Sequence, residues 1–220
     1  MDYEVLSRYI ASFVPEDDES IERIEKEARE RGIPIMQRES MAFLQQLIRW
    51  LQPKRILEIG TAVGFSAIKM HLSNREPLIY TIERDEAMYQ EACENVKNLK
   101  LEEAIYPILG DAGELISEIK NNGPFDLIFI DAAKVQYQKF FDLYSPLLAD
   151  GGTIVSDNIL FHGLVIDPDN LENRRAKRLG RKMNQFNQWL SKQHEYSTVF
   201  LTLGDGLALS TKKRDKDFKD

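Results

Sequence analysis

From residue 54 onward, short apolar runs alternate with stretches of helical periodicity, and this alternation restricts the fold more than any other feature. The runs are Arg55–Ile59, Leu78–Ile82, Ile105–Leu109, Asp126–Ile130 and Thr153–Ser156. Between them lie helical patterns over about Phe65–Ser73 and Glu86–Leu99, a stretch reaching Asn121, and Gln136–Leu148. Near-continuous apolar runs of this length read as strands buried on both faces. Strands that alternate with helices imply right-handed crossovers and a parallel sheet. A long helix follows at about 172–192. Thr198–Leu203 and Leu207–Thr211 are then joined by Gly204-Asp205-Gly206, a glycine loop that makes an antiparallel hairpin. The expected architecture is therefore α/β, doubly wound and mostly parallel. Its C-terminal antiparallel hairpin sets it apart from the all-parallel nicotinamide-binding arrangement.

Three helices precede the first strand. Val5, Leu6, Tyr9, Ile10 and Phe13 recur at helical spacing in residues 2–13. Residues 17–32 form a highly charged helix, and Gly32 with Pro34 beyond it is a stop signal. Arg38–Leu51 carries Met41, Leu44, Leu47, Ile48 and Leu51 on one side, closed by Pro53. A chain of 220 residues with no repeat or linker reads as one domain, 1–220, in which 1–52 is a helical cap and 212–220 a charged tail. The lone cysteine, Cys93, rules out an internal disulfide and suits a reducing cytosol. No run is long enough for a membrane span, and the N-terminus is unlike a secretory signal, so a cytoplasmic location is expected.

Acidic residues close four of the strands: Glu83, Asp111, Asp131 and Asp157. The carboxyl ends of strands are where open α/β sheets bind ligands. Glu58-Ile59-Gly60-Thr61-Ala62-Val63-Gly64-Phe65-Ser66 follows the first strand, and its G-x-x-x-G spacing differs from the G-x-G-x-x-G of dinucleotide sites. A ligand without a pyrophosphate fits better. Glu83 is placed to accept hydrogen bonds from ribose hydroxyls, and Asp111 with the small Ala112 suits an adenine rim. Taken singly, each also reads as an ordinary acidic residue at a strand end.

LEIGTAVGFS, the Glu83 and Asp111 positions, DAAKxxY and DNILFHG together resemble the class I S-adenosylmethionine methyltransferases. More narrowly, they resemble the metal-dependent O-methyltransferases typified by the catechol and caffeoyl-CoA enzymes, over about Ile35 to Thr211. The resemblance implies a Rossmann-like class I fold with a seven-stranded, mostly parallel sheet, the C-terminal hairpin and extra N-terminal helices. It also implies S-adenosylmethionine as methyl donor. Gly60 and Ser66 would lie against its methionine portion, with Met36 lining the same pocket. Glu83 would hold the ribose and Asp111 with Ala112 would border the adenine. Glu58 would support the glycine turn, through backbone or methionine-amino contacts. Asp131 would lie between donor and metal.

Asp131, Asp157 and Asn158 are oxygen donors at the ends of strands four and five. Three hard oxygens with open positions suit Mg²⁺, although Asp-Asn is also a turn pair. A cation on a substrate hydroxyl stabilises its anion near neutral pH. Lys134 matches the family's lysine at that hydroxyl, as base or as oxyanion partner. Ala133 replaces an aspartate that is frequent in the family, and Phe161 stands where tryptophan is usual. His162 reads as a loop or core residue, and His71 and His194 lack acidic or cysteine neighbours that would suggest a site.

Residues 174–182, RRAKRLGRK, are strongly basic in a chain of net charge −7. Cations early in a helix oppose its dipole, so helix stability is a poor reason for them, and such a stripe would attract a phosphate backbone. Charge runs are otherwise usually solvated faces. The chain is similar to the bacterial tRNA 5-hydroxyuridine methyltransferases of this family. The leading expectation is Mg²⁺-dependent O-methylation of a hydroxylated wobble uridine in tRNA, with Arg174, Arg175 and Arg178 on the RNA. The alternative is a small catechol or phenylpropanoid acceptor. A silent methyltransferase fold that only binds RNA or a protein is a third reading, opposed by the retained metal ligands and Lys134. The resemblance also implies a homodimer.

Overall fold

The computed structural model describes residues 3–133 and 136–214. The chain divides into two compact units, Met1–Ala112 and Gly113–Asp220.

The first unit holds α1 (Tyr3–Ala11), α2 (Glu19–Glu30), α3 (Arg38–Leu51), β1 (Arg55–Ile59), α4 (Phe65–Asn74), β2 (Leu78–Glu83), α5 (Glu86–Asn98) and β3 (Ile105–Leu109). Its strands run parallel in the order β3-β2-β1. β1 is buried from Ile56 to Ile59, as its unbroken apolar run requires. The N-terminal helices are part of this unit's packing: α3 lies on α4, α1 on α3, and α2 on α4. Met41, Leu44, Leu47 and Ile48 supply the buried face of α3. The helix closes at Gln52, which adopts a left-handed conformation (φ 47°) just before Pro53. Asp85 caps α5, its Oδ1 accepting the Met88 N–H at 3.1 Å.

The second unit holds the short α6 (Ile116–Ile119), β4 (Phe125–Ile130), α7 (Tyr137–Tyr144), β5 (Leu148–Asp157), α8 (Arg174–Leu190), β6 (Tyr196–Leu201) and β7 (Leu207–Lys212). Its strand order is β4-β5-β7-β6. β4 and β5 are parallel, and β7 is antiparallel to both of its neighbours. Tyr137 and Phe141 of α7 pack edge-on against Phe186 and Trp189 of α8, with ring centroids 5.5 and 5.3 Å apart. Asn173 caps α8, its Oδ1 taking the Arg175 and Ala176 N–H groups at 2.9 and 3.1 Å.

The architecture is α/β with a seven-stranded, mostly parallel sheet, as the strand-and-helix alternation implies. Several boundaries differ from the sequence expectation, among them that of the helix expected over Gln136–Leu148, which ends at Tyr144. The helix expected up to Asn121 shrinks to a single turn, Ile116–Ile119, followed by a 3-10 turn at Lys120–Asn122. β5 begins at Leu148 rather than Thr153, because its register with β4 jumps between Phe125 and Leu127 and takes up the extra residues before Thr153. The final hairpin pairs Leu201 with Leu207, so its loop spans 202–206 rather than the three residues Gly204-Asp205-Gly206.

Candidate functional site

Of the residues expected around the methyl donor, all but Asp131 belong to the first unit. After β1 the backbone makes a tight turn in which Gly60, Ala62 and Gly64 have φ of 107°, 47° and 83°. Gly64 is the position where glycine is required. Its φ is left-handed, and a Cβ there would approach the Ala92 Cβ to 3.3 Å. The turn is fixed from beneath by the fully buried Glu58. Glu58 pairs in register with Thr81 on β2, and its Oε2 accepts the Thr81 hydroxyl at 2.6 Å. Its other oxygen accepts the Ser66 hydroxyl from the first turn of α4. Thr81 in turn shares a 2.5 Å contact with the Thr61 hydroxyl. Support of the turn therefore runs through side-chain hydroxyls, a route that the sequence reading did not specify.

Glu83 closes β2. Its Oε2 accepts the Ala62 N–H at 2.9 Å, and its Oε1 accepts those of Arg84 and Asp85 at 2.9 and 2.8 Å. An ionised carboxylate has roughly four lone-pair sites, so capacity remains for a ligand hydroxyl. Asp111 and Ala112 follow β3, with Asp111 half-buried and Ala112 buried. Met36 is buried in the segment between α2 and α3, and its carbonyl accepts from Arg29 Nη2 at 3.2 Å.

The expected metal ligands belong to the second unit. The β4/β5 register pairs Ile130 with Ser156, so Asp131 and Asp157 are the next residues along two parallel neighbours. Asn158 takes a left-handed conformation (φ 57°), a region that asparagine tolerates better than most residues. Its N–H donates to Asp157 Oδ1 at 2.7 Å, and its Nδ2 donates to Asp131 Oδ1 at 3.2 Å. The three side chains expected to bind a cation are thus brought together. Beside them, the buried Tyr137 donates its hydroxyl to the Asp157 carbonyl at 2.9 Å. Burial pushes the Tyr137 phenol well above its ordinary value, and the negative charges of Asp131, Asp157 and Asp205 push it further. That concentration of negative potential, with two carboxylates and an amide as donors, fits a hard divalent cation. Among the described residues no group of three or more His, Cys, Asp and Glu side chains forms a metal cluster, so a cation held here would draw its third protein donor from the amide of Asn158. Lys134 lies outside the described residues.

Two contributors went unrecognised in the sequence. Tyr137 is the tyrosine of DAAKxxY, a visible motif position to which no role was attached. Asp205 looked like an ordinary hairpin residue. It accepts the His162 N–H on Oδ1 at 2.5 Å and the Leu160 N–H on its carbonyl at 2.9 Å. The Gly206 carbonyl takes the Ile159 N–H at 3.2 Å. The 204–206 loop is thus the template for the segment after Asn158, where Phe161 and His162 also have positive φ (46° and 54°). Gly206 has to be glycine, since a Cβ would fall 2.4 Å from Leu160.

Arg174, Arg175 and Arg178 are exposed on α8. Arg174 and Arg178 line one groove with Lys177, Arg181, Lys182 and Gln185. The stripe is partly neutralised by a residue outside the helix: Asp169 receives Arg181 Nε at 2.5 Å, and its carbonyl receives Lys177 Nζ at 2.5 Å. His71 is buried, with Nδ1 3.0 Å from the Pro77 carbonyl, which is a packing role.

Residues 11–213 match the family model described as O-methyltransferase. A catechol O-methyltransferase of Niastella koreensis is 30% identical over 175 residues, 77% of this chain and 79% of that protein. A Staphylococcus aureus protein, provisionally designated a caffeoyl-CoA O-methyltransferase, has a crystal structure that superposes with a TM-score of 0.89. It is 37% identical, over 94% of this chain and 99% of that one. The SAH-bound structure of a Podospora anserina methyltransferase shares the fold, with a TM-score of 0.85 at 24% identity and 97% coverage of both chains. The chain belongs to the O-methyltransferase family, the class I S-adenosylmethionine-dependent enzymes that include catechol and caffeoyl-CoA O-methyltransferases.

Proposed function

We propose that the chain methylates one hydroxyl of a small acceptor bearing two adjacent oxygens, a catechol or phenylpropanoid, using S-adenosylmethionine and Mg²⁺. The observation that carries this reading is the convergence of Asp131, Asp157 and Asn158 at the ends of β4 and β5. The relatives named for catechol and caffeoyl-CoA substrates support it over the RNA acceptor that the basic stripe suggested. Asp131 and Asp157 would hold the cation as carboxylates and Asn158 through its amide oxygen. When bound, the cation supplies Lewis acidity that lowers the pKa of an acceptor hydroxyl. Glu58 holds Ser66 and the glycine turn in place. Glu83 receives ribose hydroxyls, Asp111 and Ala112 border the adenine, and Gly60, Ser66 and Met36 enclose the methionine portion. The oxygen–carbon bond forms as the sulfur–carbon bond breaks, and Lys134 takes the hydroxyl proton or pairs with the resulting anion.

A second reading, 5-hydroxyuridine of tRNA as acceptor, is favoured by one observation. Five cationic side chains of α8 line a single groove in a chain of net charge −7. One experiment separates the two. The protein is incubated with S-adenosylmethionine, Mg²⁺ and either catechol, caffeic acid or hydroxyuridine-containing tRNA, and the products are read by mass. Methylated catechol or caffeate with untouched tRNA is expected. Efficient methylation of the tRNA alone would overturn the small-acceptor reading, and reversing Arg174, Arg175 and Arg178 to Glu should then abolish it. The homodimer implied by the family is supported by the exposed Val5, Tyr9 and Ile10 of α1 and Phe13 just after it, and light scattering tests it.

A further inference from the structure

Glu25 is a buried acid on the apolar stripe of α2, among Ile21, Ile24 and Ala28, and only 3% of its surface is exposed. A carboxylate in such a place is costly unless it is fully paired. Its Oε1 accepts Nε of Arg29 and Nε of Arg38, each at 2.9 Å, and its Oε2 lies 2.9 Å from Nη2 of Arg38. Burial pushes the Glu25 pKa up, but the hydrogen bonds and charges of Arg38 and Arg29 outweigh that and hold it below the ordinary value. The group is therefore a carboxylate at neutral pH.

The two arginines flank one piece of chain. Arg29 is in the last turn of α2 and Arg38 opens α3, and the segment between these helices, residues 31–37, carries Met36. Arg38 is anchored a second time, to Glu22 at 2.5 Å. Arg29 Nη2, itself 2.8 Å from Glu25 Oε1, also donates to the Met36 carbonyl at 3.2 Å. Removing the carboxylate would leave the exposed Arg29 and the half-buried Arg38 without the acid they share, with Glu22 still paired to Arg38. Arg29 would then have no reason to stay on the Met36 peptide.

We propose that Glu25 is a positioning residue for the methyl donor: by pinning Arg29 and Arg38 it holds the 31–37 segment so that Met36 completes the donor pocket. This rests on the reading of Met36 as a donor-pocket residue. The electrostatic cluster is remote from the chemistry, so its loss should act on donor affinity through the order of one segment. Ordinary destabilisation of α2 should not have that effect.

The test uses the full chain and S-adenosylhomocysteine as probe, with calorimetry, thermal melts and amide hydrogen exchange. Glu25→Gln keeps the shape and removes the charge, Arg29→Met keeps the packing and removes the bond to Met36, and Ile24→Ala destabilises the same helix without touching the cluster. The first two should weaken binding about tenfold, the scale of one lost charge-assisted hydrogen bond, and speed exchange at 31–37. Ile24→Ala should lower the melting temperature and leave the affinity within about twofold. Unchanged affinity in Glu25→Gln, or an equal loss in Ile24→Ala, overturns the proposal. A wild-type chain that binds no S-adenosylhomocysteine would instead remove the donor assignment, and this inference with it.

Discussion

Asn158 donates its side-chain amide to Asp131 Oδ1 at 3.2 Å across 27 residues of sequence, and its own N–H to Asp157 Oδ1 at 2.7 Å. The amide acts here as a cross-brace between two carboxylates. A bound cation needs the oxygen of that amide instead, so loading should require the amide group to turn. Asp131→Ala or Asp157→Ala should lower the rate by about a hundredfold or more, because the Lewis acid contributes several kcal/mol. Chelation should silence the wild-type enzyme, and Mg²⁺ should restore it. Calorimetric titration of Mg²⁺ into Asp157→Ala should show no binding, and full activity of either variant in chelator would refute the metal assignment.

Asp205 should matter as much for acceptor binding as for stability. Its Oδ1 accepts the His162 N–H, in a segment that also holds Phe161 in a left-handed conformation. Asp205→Ala orphans a part-buried donor, which costs about 1–3 kcal/mol. Asp205→Asn retains an oxygen for it and should recover most of that loss. Urea unfolding of the two variants gives the comparison, and acceptor KM should follow the same order. Equal midpoints for Asn and Ala would show that the bond to His162 contributes nothing.

The strands and most helices were legible because burial on both faces leaves the same mark in sequence as in space. Ile56 to Ile59 is apolar or internally paired and fully covered. The misplaced start of β5 has a simple cause. Asp150-Gly151-Gly152 reads as a turn, yet a Cβ on Gly152 would lie 3.0 Å from the Asp126 carbonyl, so glycine serves close approach to β4 within the strand. Asp157-Asn158 was legible as a site only alongside Asp131, since turn chemistry and metal ligation favour the same two residues. Glu25 and Asp205 were hidden for a different reason. Each looks ordinary locally, one as a charge in a charged helix and the other as a hairpin residue, and its partners lie on other elements.

Glu58 offers a way to separate support from contact. It is buried between the Ser66 and Thr81 hydroxyls, both of which can rotate to accept as well as donate. Glu58→Gln should therefore cost about 1 kcal/mol or less, whereas Glu58→Ala leaves a cavity and unpaired hydroxyls worth about 2–4 kcal/mol. If Glu58 only supports the turn, Glu58→Gln should bind S-adenosylhomocysteine within a few-fold of wild type. A direct contact with the donor's ammonium would instead lose about tenfold with the charge. Calorimetry on the amide variant decides between the two.

Tyr137 should set the alkaline limit of stability. Its phenol is buried, and burial, Asp131 and Asp157 together raise its pKa in the folded chain well above the unfolded value of about 10. A raised folded pKa means that the native state keeps a proton which the unfolded chain gives up. The contribution is therefore fully present below pH 10 and is lost as the pH climbs from there toward the folded pKa. Tyr137→Phe removes that proton linkage along with the hydrogen bond to the Asp157 carbonyl. The variant should be less stable than wild type by about 1 kcal/mol at pH 8. Above pH 10 its urea midpoint should fall less steeply than that of wild type, and the gap should narrow. Parallel pH profiles for the two proteins would show that Tyr137 does not carry the linkage.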